Sequence, residues 1–173
     1  MHLPQGRLPG ERGVRGVGMD EVRAASGLPL KRIYRLFAAK DDLVVAMLAR
    51  RDIRWRGDLT AFVEQVEDPR ERVLAVFDRL ARWFAEPGFR GCAWINIHGE
   101  LGSTSEAVLA EVRSHKREFH DQLARWARAA GVTRTEPLFL LAEGAIVTAG
   151  ITGDPTAAAH AREAAAVLLD SAR

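Results

Sequence analysis

Lys31, Arg32, Tyr34 and Arg35, four side chains able to meet a polyanion, are packed into the stretch Pro29-Leu30-Lys31-Arg32-Ile33-Tyr34-Arg35-Leu36-Phe37. Leu30, Ile33, Leu36 and Phe37 recur among them at helical spacing, which predicts a short helix with one apolar side and one cationic side. Arginine and lysine reach phosphates and base edges, and a helix is narrow enough for the major groove. A solvated basic face is the plain alternative. A turn and a flanking helix accompany this face, and the combination favours DNA.

Other constellations point less well to chemistry. Cys92 and His98 could suggest a thiol nucleophile, but six residues on one helix put them on different sides, and no orienting acid is evident. His115, Glu118 and His120 contain metal-ligand types. Their two histidines are spaced i, i+5 instead of the i, i+4 of a zinc helix, so no metal is expected. Gly13, Gly16 and Gly18 make a glycine-rich run with no strand before it, which is not the setting of a phosphate-cradling loop. The reading is of a protein without catalysis, cofactor or metal.

The elements that must position the basic face are local. Met19, Val22 and Ala25 or Ser26 share a helix face over Met19-Asp20-Glu21-Val22-Arg23-Ala24-Ala25-Ser26. Gly27 supplies a left-handed stop, and Pro29 suits the first turn of the next helix, where an N–H has no partner anyway. The unit is a helix, a tight turn and a second, basic helix.

This unit resembles the helix-turn-helix of the TetR family of transcriptional regulators. The resemblance rests on Ser26-Gly27, on Ile33-Tyr34-Arg35-Leu36-Phe37 and on Lys40-Asp41-Asp42-Leu43, covers about residues 13–48, and extends loosely to Arg90 through Glu100. It implies that Tyr34 and Lys40 contact the DNA backbone while Lys31, Arg32 and Arg35 face the groove. Arg23 and Ser26 stand where the family usually has alanine. The family also begins with an amphipathic helix, whereas Pro4, Pro9 and repeated glycines break any helix before Met19. A truncated or altered start is the expectation, leaving Val22, Ile33 and Phe37 short of a packing partner.

Charge separates the chain into two parts. Residues 1–56 carry 12 Lys or Arg against 6 Asp or Glu, while the whole chain of 173 residues has a net charge of only +2. A basic head and a mildly acidic body suit a domain that meets a polyanion joined to one with another task. The expected domains are a DNA-binding head over residues 1–48 and an effector-binding and dimerisation domain over residues 49–173. No apolar run reaches 18 residues and no leader pattern appears, so the reading is cytoplasmic and free of membrane. The single cysteine, Cys92, has no partner for an internal disulfide.

Beyond the head the periodicity is helical throughout, so the fold class is all-α. A long helix from Lys40 to about Val66 should bury Leu43, Met47, Leu59, Phe62 and Val66. Helices follow over Pro69 to Ala85, Cys92 to Leu101, Ser105 to Ala130, Pro137 to Ile151 and Ala157 to Leu169. The next-to-last is apolar on almost every side with Glu143 its only charge, and the last carries a smooth alanine stripe. These two predict a homodimer, which lets two basic helices read a palindromic operator. The body holds the residue types of a small-molecule pocket: Trp83, Phe84, Phe89, Cys92, Trp94, Asn96, His98, Phe119, Trp126, Phe139 and Thr148. Aromatic residues at helical spacing also serve as plain core. The expected function is a ligand-responsive regulator, in the family's usual mode a repressor released by a small hydrophobic effector. The alternative is a helical small-molecule- or partner-binding protein that has lost DNA binding.

Overall fold

The structure, a computed structural model, describes residues 13–171. The expectation of a broken helix around Pro4 and Pro9 lies outside the described residues. Among those described there are eight helices and no strand: α1 (Met19–Ser26), α2 (Leu30–Leu36), α3 (Lys40–Val63), α4 (Pro69–Phe84), α5 (Ala93–Leu101), α6 (Glu106–Ala129), α7 (Glu136–Thr152) and α8 (Ala157–Ser171). They fall into two compact units. The first takes residues through Arg50 together with Trp94–Arg113, and the second takes Arg51–Ala93 and the residues from Ser114 onward.

In the first unit the helix ends follow from local chemistry. Asp20 and Glu21 occupy the positive first turn of α1, and Gly27 ends it at φ 67°, its N–H bonded to the Arg23 carbonyl. Pro29 is the N-cap of α2, one place earlier than a first-turn proline, and its carbonyl accepts from Arg32 and Ile33. Before α3 the Ala39 N–H donates to Asp42 Oδ2 at 2.8 Å, a side chain reaching back over the first turn. Of the three residues expected to lack a packing partner, Ile33 is buried at 3 % exposure, whereas Val22 and Phe37 are half-buried. Leu36 is 58 % exposed, contrary to its expected place on the apolar side. It lies about 120° around the helix from Leu30, too far to share that side.

The long helix α3 corrects a second expectation. Its buried row is Val44, Leu48, Asp52, Leu59 and Val63, whereas Leu43, Met47 and Phe62 are only half-buried. A carboxylate occupies the middle of that row. A face chosen from apolar residues alone therefore slips by one position, keeping only Leu59. The helix also stops at Val63, and Val66 follows it in a turn whose carbonyl accepts from Arg72 Nε at 2.9 Å.

The second unit is an ordinary helical core. Asp68 caps α4 by accepting from the Glu71 N–H at 2.8 Å, with Pro69 opening the first turn. Val73, Phe77, Leu80 and Phe84 are buried on α4, as are Phe119, Leu123 and Trp126 on α6. Helices α4, α7 and α8 pack on one another, with Ala158, Ala161, Ala165 and Leu169 turned inward on α8. Among the described residues no helix is long and apolar enough to cross a membrane.

Candidate functional site

The basic surface is built on α2. Lys31, Arg32, Tyr34 and Arg35 are all exposed, with Tyr34 at 46 %, and the only fully buried side chain of the helix is Ile33. One anchored residue thus holds a helix whose other polar groups face solvent. With no acid on the helix, its surface can take phosphates and base edges. Lys40, at the first position of α3, is half-buried and donates from Nζ to the Arg15 carbonyl at 3.3 Å. The turn over Gly13 to Gly16 is no phosphate cradle, because its Arg15 N–H already donates to Glu100 Oε2 at 2.9 Å.

The pocket candidates separate. Trp83, Phe84, Cys92, Phe119 and Trp126 are buried in the second unit, where Phe89 and Phe139 are half-buried and Thr148 is exposed. Trp94, Asn96 and His98 belong to the first unit, Trp94 buried and the other two exposed. Rings meet in the second unit: Phe89 lies 5.1 Å from Trp83 and 4.9 Å from Phe84, and Phe119 lies 5.6 Å from Phe139. The centre of this cluster is Trp55, which sequence reasoning missed. It meets Trp83, His115 and Phe119 edge-on at 5.6, 5.5 and 5.0 Å.

A polar seam beside those rings was also missed. His115 Nδ1 lies 2.6 Å from Asp52 Oδ1, and the other oxygen of Asp52 takes Arg56 at 2.7 Å. Arg56 continues to Glu118 at 3.5 Å, and its carbonyl accepts from Gln122 Nε2. Burial opposes ionisation of Asp52, but hydrogen bonds from Arg56 and His115 outweigh it and hold the carboxyl below its ordinary value. Burial pushes His115 down to about 4 against the pull of Asp52, and the nearby Lys116 and Arg56 charges add to the push. The imidazole is therefore neutral at pH 7 and donates to the carboxylate. Close by in sequence, Lys116 Nζ contacts Glu143 Oε2 at 2.5 Å and Cys92 Sγ at 3.6 Å. Glu143 Oε1 is buried without a hydrogen-bond partner. The one signal that could have found this pair was Glu143, the single charge in the apolar stretch from Pro137 to Ile151.

A short helix, a glycine turn and an exposed basic helix on an all-helical chain define a helix-turn-helix protein. No protein-family model matches the chain. The chain is 29% identical over 98 residues to the HTH-type transcriptional repressor NemR of Escherichia coli K12, covering 56% of this chain and 49% of that protein. It is 32% identical over 127 residues to the transcriptional regulator AcuR of Cereibacter sphaeroides, covering 70% and 58%. The chain thus spans about half the length of the curated relatives it matches. A solved TetR-family transcriptional regulator from Streptomyces coelicolor superposes with a TM-score of 0.81 at 28% identity, over 92% of this chain and 81% of that one. The chain has the fold of the TetR-family transcriptional regulators and is similar to them in sequence.

Proposed function

We propose that the chain is a ligand-responsive transcriptional regulator, acting as a repressor, that binds a palindromic operator as a homodimer and is released by a small hydrophobic effector. The observation that carries this reading is the cationic face of α2: Lys31, Arg32, Tyr34 and Arg35 exposed around the buried anchor Ile33. Lys31, Arg32 and Arg35 read the groove, and Tyr34 and Lys40 hold the backbone. Residues 1–48 serve as the DNA-binding head and residues 49–173 as the effector-binding and dimerisation domain. Repression is supported by the similarity to NemR, which is itself a repressor.

Dimerisation through α7 and α8 is supported by the apolar surface these helices leave open. Leu140, Ile151 and Val167 are 67, 81 and 67 % exposed, and Pro137, Leu140, Leu141, Ala164, Val167 and Leu168 line a shallow groove. Such a patch on a monomer marks an interface. The effector site is assigned to the ring cluster around Trp83, Phe84, Phe89, Phe119 and Phe139 with Cys92 and Trp126, an apolar setting edged by the Lys116–Glu143 pair. Trp94, Asn96, His98 and Thr148 remain candidates from the sequence alone.

Selection of bound DNA from a random pool, followed by salt-dependent affinity measurement, tests the reading. Lys31→Ala and Arg35→Ala should relax sequence preference, whereas Lys40→Ala should weaken binding to all sequences alike and reduce the salt slope by about one. Binding indifferent to all three substitutions would overturn it.

A further inference from the structure

Both backbone polar groups of Arg15 are held by side chains from other helices. Its N–H donates to Glu100 Oε2 at 2.9 Å, across 85 residues of chain, and its carbonyl accepts from Lys40 Nζ at 3.3 Å. Glu100 also lies flat against Gly13. That glycine has φ +65°, and a Cβ on it would sit 2.6 Å from Glu100 Oε2 and 2.7 Å from Oε1. The positive φ favours glycine there, whereas the carboxylate is the far end of a flexible side chain that can give way to a Cβ at little cost. The turn this creates buries Val14, closes through the Val17 N–H on the Val14 carbonyl at 3.3 Å, and delivers Gly18 to the start of α1. All of these residues belong to the first unit.

We propose that Glu100 is a positioning residue for the DNA-reading unit, a role that rests on the operator reading given above. Its carboxylate pins the turn ahead of α1 and, through the single residue Arg15, fixes the ammonium of Lys40. An ammonium carries three donors, and one is taken by Arg15, leaving the others for phosphate. Lysine is a flexible point charge, so holding it before DNA arrives removes part of the ordering cost of binding.

Charge alone predicts the opposite behaviour. A carboxylate in a unit that meets a polyanion opposes binding, and its removal should tighten DNA affinity. A positioning role predicts that removal weakens it. The sign of the effect separates the two.

The test uses the full chain and the operator it selects from a random pool. Glu100→Ala should weaken operator binding by roughly tenfold and lower the salt slope by about one, as Lys40 loses its place. Glu100→Gln keeps an acceptor oxygen for the Arg15 N–H and should stay within about threefold of the original. Amide exchange across residues 13–26 should accelerate in the alanine variant while the second unit keeps its protection. Operator binding by Glu100→Ala as tight as, or tighter than, that of the original chain would overturn the proposal, as would unchanged exchange over residues 13–26. If the original chain selects no DNA at all, the operator reading falls, and the exchange measurement still decides whether Glu100 holds the turn.

Discussion

His115 and Asp52 meet at 2.6 Å across 63 residues of chain, a neutral imidazole donating to an ionised carboxylate inside a helical core. The pair makes stability depend on pH in a defined direction. His115 titrates near 4 in the fold and near 6.5 when unfolded, so between those values the unfolded chain takes up a proton that the folded chain refuses. Stability is therefore complete above about pH 6.5 and declines as pH falls towards 4, by at most about 1.4 kcal/mol per pH unit for this group. Asp52, held below its ordinary value, adds a loss in the same direction at still lower pH. His115→Asn should flatten the slope of denaturant stability between pH 6.5 and 4.5. A variant that loses stability as steeply as the original chain would show that another group sets it.

Lys116 and Glu143 should behave as a coupled pair. Their side chains are 23 and 18 % exposed, and Glu143 has one buried oxygen with no partner. Removing the lysine alone leaves a mostly buried carboxylate uncompensated, so Lys116→Met should cost about 1–3 kcal/mol. Adding Glu143→Leu should return most of that loss. Chemical denaturation of the two single variants and the double variant measures the coupling, and additive losses would contradict it.

Gly150 is a point of backbone contact. A Cβ there would lie 2.8 Å from the Gly91 Cα, and backbone cannot rotate aside as a side chain can. Gly150→Ala should destabilise the chain by about 1–3 kcal/mol. Gly57, in the middle of α3 with nothing within 4 Å of its would-be Cβ, is the control. Gly57→Ala should raise stability by up to about 1 kcal/mol, from helix propensity alone. Equal thermal shifts for both variants would rule out the contact as the cause.

The open faces of α7 and α8 can be tested by charge. Ile151→Lys combined with Val167→Lys places two ammonium groups on side chains now 81 and 67 % exposed. In the monomer this is harmless; in an interface it buries charge at high cost. Sedimentation at micromolar concentration should show the original chain as a dimer and the double variant as a monomer with weakened operator binding. A monomeric original chain would leave the two helices with another partner.

Much of the architecture was legible from local patterns. Gly27 and Pro29 marked the boundary between α1 and α2 because glycine admits the left-handed turn, and proline fixes φ, at that very residue. The apolar periods over Pro69 to Ala85 and Ser105 to Ala130 matched α4 and α6 to within one residue at each end. The face of α3 was misread because Asp52 lies in its buried row, and no rule of periodicity admits a carboxylate to a core. Asp52, Trp55, Arg56, Lys116 and Glu100 escaped notice for one common reason. The significance of each depends on a partner that the chain does not place beside it.

The sequence by itself determined the helices, their order and the basic face of α2, since capping, propensity and hydrophobic period act over a few neighbouring residues. Tertiary structure alone decided the pairings: Glu100 with Arg15, Asp52 with His115, Glu143 with Lys116. A buried or half-buried polar group is tolerated only where another group satisfies it. Which group that is depends on how the helices pack, and no stretch of sequence contains that information locally.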